Sequence, residues 1–218
     1  MTTPDAPMTI DGQDALIDQL VAFGWGVQHQ AISREHIQAL RLELDHLHEH
    51  DQLSRAGIGR GQDHQLRDDI RGDSIYWLNP AGPAQQDWLM RMEHFRQALN
   101  YSLFLGLLEF EAHFARYPAG TFYKKHVDSF RNRANRMVST VLYLNEDWPA
   151  DGGGEMVLFD EHDTDREIGR VRPEAGTLVC FLSETIPHEV LPTHHSRASI
   201  AGWFRRNASQ GGRIDPAH

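Results

Sequence analysis

The sequence has few of the features that mark disulfide-stabilised, secreted or membrane-spanning proteins. Cys180 is the single cysteine among 218 residues, so an internal disulfide is excluded and a reducing cytoplasm is the expected compartment. No apolar run approaches the roughly 18 residues that a membrane-spanning helix needs. The first residues, MTTPDAPMTIDG, lack the basic and apolar regions of a secretion signal. We therefore expect a cytoplasmic protein with no membrane partner.

Basic residues are also scarce. The chain has 21 Lys and Arg against 31 Asp and Glu, which gives a formal net charge of -10. Nucleic-acid-binding domains usually carry a basic surface that contacts the phosphates. The charge balance therefore argues against a nucleic-acid partner.

The spacing of apolar residues changes in the middle of the chain. Apolar residues recur at helical spacing in three segments, which follow Asp11, follow Ser33 and extend over about 84–103. After residue 110 the chain contains seven short strand-like runs: HFARYP, FYKKHVD, MVSTVLYLN, MVLF, TLVCFL, HEVLP and ASIAGWF. Strands of this number and length predict a barrel or sandwich, with helices packed on its outside.

The pattern predicts an α+β fold, with a double-stranded β-helix (jelly-roll) core buttressed by N-terminal helices. The length suits one domain, which we expect to extend over 11–207. Its helical support would occupy about 11–105 and its jelly-roll core about 110–206. Flexible tails are expected at 1–10 and 208–218.

Three residues with metal-binding side chains lie in the strand-rich half. His126 and Asp128 are two residues apart in FYKKHVD, which would put both side chains on one face of a strand. His188, in HEVLP, completes two histidines and a carboxylate, the facial triad of non-haem Fe(II) oxygenases. The same ligands with water would also suit catalytic zinc. A hydrogen-bonded pair at a strand edge is the simpler interpretation of His126 and Asp128 taken alone.

An arginine lies nine residues beyond the second histidine. Pro192 and Thr193 predict a turn, after which strand periodicity places four residues on one face: Arg197, Ser199, Ala201 and Trp203. A guanidinium at the back of a pocket can hold a carboxylate through two parallel hydrogen bonds. The run RMVSTVLYLN groups Ser139 and Tyr143 in the same way, so their hydroxyl groups could share that carboxylate. A metal and an arginine together predict a pocket for a dicarboxylate co-substrate.

These motifs, in this order, resemble the prolyl-hydroxylase branch of the 2-oxoglutarate- and Fe(II)-dependent oxygenases. The resemblance extends from about Asp68 to Phe204 and is carried by DIRGDSIYW, HFARYPAG, HVD, RMVSTVLYLNEDW, EAGTLVCF, PHEVLP and ASIAGWF. It includes the oxygen-sensing hydroxylases that act on hypoxia-inducible factor and their short bacterial relatives. A single H-x-D motif is weak, but H-x-D followed by a distant histidine and an arginine nine residues later is a specific combination.

The resemblance implies catalytic and binding roles for the matching positions. It implies that His126, Asp128 and His188 bind iron, and that Arg197 and Tyr143 hold the far carboxylate of 2-oxoglutarate. Co-substrate contacts are expected from Tyr117 and Ser139. Substrate contacts are expected from five residues: Arg71, Asp73, Tyr123, Arg136 and Trp203.

The resemblance also locates these substrate contacts. It implies that Trp203 lies beside the target prolyl ring and Arg136 at the pocket mouth. Arg71 and Asp73 would lie at the base of a mobile loop, near residues 72–88, that folds over the target.

The activity implied by the resemblance is peptidyl-prolyl 4-hydroxylation. Such an enzyme uses Fe(II), consumes O2 and 2-oxoglutarate, and releases succinate and CO2; ascorbate binding is implied as well. The protein partner implied by the bacterial relatives is elongation factor Tu. The alternatives are the same chemistry on a free amino acid or other small molecule, and a metal-binding sensor or scaffold without turnover. A zinc hydrolase is a further alternative, but it would give Arg197 and Tyr143 no evident task.

Overall fold

The computed structural model describes residues 9–56, 70–129 and 135–206, and two short strands beyond them. Three helices are found: α1 (Gln13–Phe23), α2 (Arg34–Glu49) and α3 (Pro83–Leu103). Gly24 ends α1 with φ 76°, a left-handed conformation that glycine adopts without steric penalty. The Ser33 hydroxyl accepts a hydrogen bond from the main-chain N–H of the third residue of α2. Pro83 begins α3, a position at which a main-chain N–H would have no partner within the helix, so the missing N–H of proline costs nothing. The three predicted helices are confirmed.

The strands are numbered in chain order. Eight of them occupy the first part of the chain: β1 (Trp25–Gln28), β2 (Ser54–Arg55), β3 (Ser74–Trp77), β4 (Glu109–Tyr117), β5 (Tyr123–His126), β6 (Arg136–Tyr143), β7 (Met156–Phe159) and β8 (Glu167–Val171). They are followed by β9 (Leu178–Leu182), β10 (His188–Val190), β11 (Arg197–Arg205), β12 (Ser209–Gln210) and β13 (Arg213–Ile214).

Most of these strands belong to two antiparallel sheets. The larger sheet has seven strands in the order β1-β9-β6-β11-β4-β3-β2, and the smaller has four in the order β5-β10-β7-β8. Strand β11 lies between β4 and β6, and it pairs with both over most of its length. This is the predicted mixed fold with a jelly-roll core, which is confirmed.

Each face of the larger sheet is buried against a different partner, because neighbouring residues of a strand point to opposite sides. One face packs against the helices: Phe95 of α3 and Phe204 of β11 are fully buried, with ring centres 5.7 Å apart. Truncating such a phenylalanine to alanine costs about 3–5 kcal/mol. The other face packs against the smaller sheet through a second core: Val141, Tyr143, Met156, Leu158, Val171, Val179, Phe181 and Ile186. The predicted site residues Ser139, Tyr143 and Arg197 alternate with the helix-facing residues and so lie on the second side.

The N-terminal half differs from its expected all-helical character. Strands β1, β2 and β3 extend the two edges of the larger sheet, and none of them was predicted. The prediction of a mobile loop near residues 72–88 is also wrong for most of that range. Ser74–Trp77 pairs with β4, and Pro83 begins α3, so hydrogen-bonded structure occupies these positions.

The predicted tails lie largely outside the described residues. Ile10, at the end of the first tail, is 2% exposed and belongs to the helix-facing core, so the tail is shorter than expected. Within 208–218, β12 and β13 pair as a two-stranded sheet. Among the helices of the described ranges, none combines the length and the apolarity that a bilayer crossing requires.

Candidate active site

The three predicted metal ligands converge in the structure. His126 ends β5 and His188 begins β10, and the two residues are opposite each other in the antiparallel pair. The Oδ1 atom of Asp128 lies 3.5 Å from Nε2 of His126 and 3.8 Å from Nε2 of His188. One ligand atom from each residue lies within 4.8 Å of the other two. The group can therefore hold a single metal ion.

Asp128 reaches this point by a route that strand periodicity does not describe. Strand β5 ends at His126, and Asp128 lies in a bend beyond it. The prediction that the two side chains share a strand face is therefore wrong, although the residues do meet. The bend, rather than the alternation of a strand, directs the carboxylate to the two imidazoles.

Main-chain carbonyl groups orient both imidazole rings. Nδ1 of His126 is 2.8 Å from the carbonyl oxygen of Lys124, and Nδ1 of His188 is 3.2 Å from that of Ile186. A carbonyl oxygen only accepts hydrogen bonds, so in the neutral rings Nδ1 carries the proton. Each Nε2 then presents its lone pair toward Asp128, as metal binding by histidine requires.

The electrostatics of the site favour the ligand forms of Asp128 and His188. Burial lowers the pKa of His188 to about 4, with His126 acting in the same direction and Asp128 against it. Burial alone would raise the pKa of Asp128. The two imidazoles and the Ser139 hydroxyl outweigh burial and hold that pKa well below its usual value. At neutral pH the pocket therefore contains a carboxylate and an uncharged His188.

Ser139 contacts the metal site and not the arginine pocket for which it was predicted. Its hydroxyl donates a hydrogen bond of 2.6 Å to Oδ2 of Asp128, and it lies 2.9 Å from the hydroxyl of Ser183. Because a hydroxyl has one proton, Ser139 has none left to donate to a co-substrate carboxylate. It leaves Oδ1 of Asp128 directed at the histidines, so Ser139 orients the carboxylate, a contact that the sequence did not reveal.

Arg197 lies at the start of β11, enclosed by two tyrosines. Its side chain is 1% exposed, and its guanidinium carbon is 5.0 Å from the ring centre of Tyr117 and 4.9 Å from that of Tyr143. Nε donates to the carbonyl oxygen of Gly154 at 2.9 Å, and Nη1 is 3.4 Å from the Ser199 hydroxyl. Burial raises the pKa of Tyr117 and of Tyr143, so both phenols stay protonated.

Two buried donors of this pocket have no partner. Within the described ranges, Nη2 of Arg197 and the hydroxyl of Tyr143 make no hydrogen bond. A buried charged donor without a partner carries a large desolvation cost, which an acceptor in the pocket would relieve. A carboxylate is the acceptor that best matches a guanidinium and a neighbouring phenol. The geometry therefore agrees with the predicted clamp.

Gly154, which was not among the predicted site residues, helps to fix the orientation of the guanidinium through its carbonyl oxygen. The residue has φ 70°, and an added Cβ would lie 3.1 Å from Cδ of Arg197 and 3.0 Å from Oγ1 of Thr193. In the sequence, the DGGGE run at 151–155 indicates a tight turn before a strand and gives no sign of a contact with Arg197. The positive φ of Gly154 and its close contact with Arg197 both favour glycine at this position.

The predicted residues Arg71, Asp73 and Tyr123 form a chain of contacts that reaches the metal site. Arg71 forms two hydrogen bonds to the buried carboxylate of Asp73, at 2.8 and 2.6 Å. Its guanidinium carbon lies 4.6 Å from the ring centre of Tyr123, and that ring stacks on His126 at 3.7 Å. Burial raises the pKa of Tyr123 to about 12, so its hydroxyl remains a donor.

Arg136 and Trp203 are also in contact. The guanidinium carbon of Arg136 is 3.7 Å from the ring centre of Trp203. Glu111, which was not predicted, accepts hydrogen bonds from Arg136 at 2.8 Å and from Arg205 at 2.8 Å. Its side chain is 2% exposed. The buried carboxylate thus holds the Arg136 guanidinium over the indole.

Comparison with known proteins identifies the family. Residues 112–205 match the model of the 2OG-Fe(II) oxygenase superfamily. The crystal structure of a Pseudomonas putida prolyl-4-hydroxylase is 42% identical, with a TM-score of 0.80 over 89% of this chain and 99% of that one. The chain belongs to the 2OG-Fe(II) oxygenase superfamily. Within that superfamily, the expected resemblance to the prolyl-hydroxylase branch is confirmed.

Further relatives of this oxygenase are animal proteins. Egl nine homolog 1 of Rattus norvegicus is 33% identical over 144 residues, which make up 62% of this chain and 42% of that protein. The oxygenase thus spans less than half the length of this curated relative. A Trichoplax adhaerens prolyl hydroxylase, solved with a peptide fragment of the hypoxia-inducible factor oxygen degradation domain, is 23% identical with a TM-score of 0.80 over 88% of each chain. At this identity the likeness shows the shared fold.

The oxygenase has residues that fit the metal and the co-substrate of its family. His126, Asp128 and His188 supply two imidazoles and a carboxylate, the donor set that suits Fe(II) with further positions left for other ligands. Arg197 and Tyr143 supply buried donors that have no partner in the described part of the chain. 2-Oxoglutarate carries a carboxylate at its far end, which would satisfy both.

Proposed function

We propose that this oxygenase hydroxylates a prolyl residue of a protein. The reaction inserts one atom of O2 into a C–H bond of the substrate, and the other is taken up as 2-oxoglutarate is converted to succinate and CO2. The observation that carries the proposal is the pairing of a two-histidine, one-carboxylate triad with a buried arginine whose Nη2 lacks an acceptor among the described residues. A hydrolase would have no use for the second feature.

The side chains divide the work of binding. His126, Asp128 and His188 would hold Fe(II), and Ser139 keeps the Asp128 carboxylate oriented for it. Arg197 would receive the far carboxylate of 2-oxoglutarate, with the Tyr143 hydroxyl as a second donor. Iron and 2-oxoglutarate together supply the oxidising chemistry that amino-acid side chains lack. The chain contributes the fixed geometry in which these groups are held.

The remaining site residues are assigned to the substrate. We propose that the prolyl ring lies against Trp203, an apolar surface held in place by Arg136. Tyr123, supported by Arg71 and Asp73, would form the opposite wall beside His126. The likeness to the Pseudomonas putida prolyl-4-hydroxylase supports a prolyl target, and the peptide in the Trichoplax adhaerens structure supports a polypeptide.

Elongation factor Tu is the protein partner that we propose. The support is the resemblance to short bacterial prolyl hydroxylases. The test is mass spectrometry of purified elongation factor Tu after incubation with the oxygenase, Fe(II), 2-oxoglutarate and O2. We expect a gain of one oxygen atom on a prolyl residue. The gain should be absent without 2-oxoglutarate and with the His126→Ala variant.

Other outcomes of this experiment would point elsewhere. Unmodified elongation factor Tu, together with substrate-dependent succinate release when cell proteins are added, would remove this partner but keep the enzyme class. Succinate release with free amino acids alone would indicate a small-molecule oxygenase. No succinate with any addition would favour a metal-binding sensor.

We also propose a cytoplasmic location, ascorbate binding, and a single domain over 11–207. The single cysteine, Cys180, is buried, and burial raises the pKa of its thiol. Both cores share the larger sheet, which supports one domain instead of separate helical and β units. Ascorbate binding rests on the resemblance to prolyl hydroxylases.

A further inference from the structure

His113 is a buried imidazole to which the functions above assign no task. It lies on β4 between two indoles, with its ring centre 5.2 Å from that of Trp77 and 5.4 Å from that of Trp203. Its neighbours in register are Trp77 on β3 and Ala201 on β11. It therefore lies on the same face of the sheet as Trp203. Ala201, the register partner of His113 on β11, has only a methyl side chain.

The hydrogen bonding of His113 fixes which nitrogen is the acceptor. Nδ1 is 3.1 Å from the carbonyl oxygen of Phe114. The ring is 3% exposed, and burial, with the nearby Arg71 acting in the same direction, lowers its pKa to about 4. The neutral ring must carry its proton on Nδ1 to meet the carbonyl. Nε2 is therefore an acceptor, and among the described residues it has no donor.

Trp203 provides a hydrogen-bond donor on the same face of the sheet as the His113 acceptor. It is 8% exposed, and its buried Nε1 donor has no partner in the described part of the chain. One unpartnered donor and one unpartnered acceptor thus lie on neighbouring rings. A peptide chain offers C=O acceptors and N–H donors in close succession. The buried Nε1 donor of Trp203 has no partner, which is rare, so this donor and the His113 acceptor beside it indicate a ligand that supplies both an acceptor and a donor.

The charges around His113 restrict the kind of donor. Arg71 and Arg136 both act to lower its pKa, and Asp73 acts in the opposite direction. A cationic donor would be repelled by the two guanidinium groups. A neutral N–H group is therefore a better donor to Nε2 of His113 than a cationic group. Proline itself has no N–H, so a main-chain donor at this position would come from a residue next to the target.

We propose that His113 binds the substrate, with Nε2 accepting a hydrogen bond from the main-chain N–H of the residue that follows the target proline. This inference rests on the proposed function, since it requires a polypeptide beside Trp203. It makes His113 a substrate-binding residue that reads the main chain. The contact would hold the peptide in register and would tolerate different side chains at the neighbouring position.

The test compares an amide and an ester peptide. The probe is the peptide, from a set tiled over elongation factor Tu, that the wild-type enzyme oxidises. In its analogue the residue after the proline is a 2-hydroxy acid, so the N–H is replaced by an oxygen. We expect the ester to raise the wild-type KM about tenfold, the effect of losing one hydrogen bond of about 1.4 kcal/mol, with a much smaller change in kcat.

Two substitutions separate hydrogen bonding from packing. His113→Phe keeps a ring between the indoles but removes the acceptor, so its KM for the amide peptide should rise about tenfold and the ester should add no further loss. His113→Gln keeps a neutral acceptor and should remain close to the wild type. Affinity for 2-oxoglutarate should be the same in all three proteins. Thermal unfolding checks that each variant is folded, and His113→Leu replaces the Phe variant if that one is not.

The outcomes distinguish this inference from the function on which it rests. Turnover by the wild type, combined with an unchanged KM in a folded His113→Phe variant, would overturn the inference alone. An ester penalty of equal size in the wild type and in the Phe variant would also overturn it, because the N–H would then be bound elsewhere. If the wild type oxidised no peptide and no protein, the proposed function would fail together with the inference.

Discussion

Replacing Arg197 by lysine is expected to weaken 2-oxoglutarate binding about 10- to 150-fold and to leave metal binding unchanged. The arginine side chain is 1% exposed, and its Nη2 has no partner among the described residues. Lysine keeps the positive charge but cannot form two parallel bonds to a carboxylate. One hydrogen bond to a charged group contributes about 1.5–3 kcal/mol, and each 1.4 kcal/mol or so corresponds to a factor of ten in affinity.

The measurement is an anaerobic calorimetric titration of the Fe(II)-loaded protein with 2-oxoglutarate. Arg116→Lys provides a matched control, since Arg116 lies next to Tyr117 on the same strand. Its side chain points away from the pocket and forms an ion pair of 2.8 Å with Asp45. The control should bind 2-oxoglutarate as the wild type does, although it also exchanges an arginine for a lysine.

One result would refute this reasoning. If folded Arg197→Lys protein binds Fe(II) normally and its dissociation constant for 2-oxoglutarate stays within about threefold of the wild type, the guanidinium does not hold the carboxylate in two bonds. If Arg116→Lys lost as much affinity for 2-oxoglutarate, the cause would be a disturbance of the β4–β11 pairing and not the loss of a contact in the pocket.

Three further predictions concern residues around the site. Gly154→Ala should weaken 2-oxoglutarate binding, because φ 70° is strained for alanine and the new Cβ would lie 3.1 Å from Cδ of Arg197; the same titration measures it. Ser139→Ala should lower Fe(II) affinity about 10- to 100-fold in a chelator competition, because Asp128 loses a hydrogen bond of 2.6 Å that orients it. His113 has a pKa lowered to about 4 by burial, so the unfolded chain binds an extra proton between its ordinary pKa near 6.5 and that value. The free energy of unfolding should therefore fall as the pH drops through this window, and His113→Phe should remove about 3 kcal/mol of the fall in denaturant titrations.

The metal ligands and the arginine could be predicted because their chemistry is visible in short motifs. His126, Asp128, His188 and Arg197 are residue types that a metal and a carboxylate require, and their order along the chain is specific. The alternation of side chains along β11 also correctly placed Arg197 on the same face of the larger sheet as Trp203. Where the prediction failed, as for Asp128, the residue was right but the local geometry was not, since the strand ends before it.

The helix-rich reading of the N-terminal half failed for β1, β2 and β3. These are short strands at the edges of the larger sheet, and two to four residues carry little periodic signal. They form because neighbouring strands offer unpaired main-chain groups. Pairing with β4 and β9 is a property of the assembled sheet and has no local counterpart in the sequence.

The sequence by itself determined which residue types are available for chemistry, since two histidines, a carboxylate and an arginine at fixed spacings suit a metal site and the anion clamp that we propose. Only the tertiary structure decided how those groups are supported. Ser139 contacts Asp128, and Glu111 holds Arg136 against Trp203. His113 lies between two indoles because β4 is placed between β3 and β11. Such contacts join residues far apart in the chain. They depend on strand order and register, which the periodicity of a single strand does not specify.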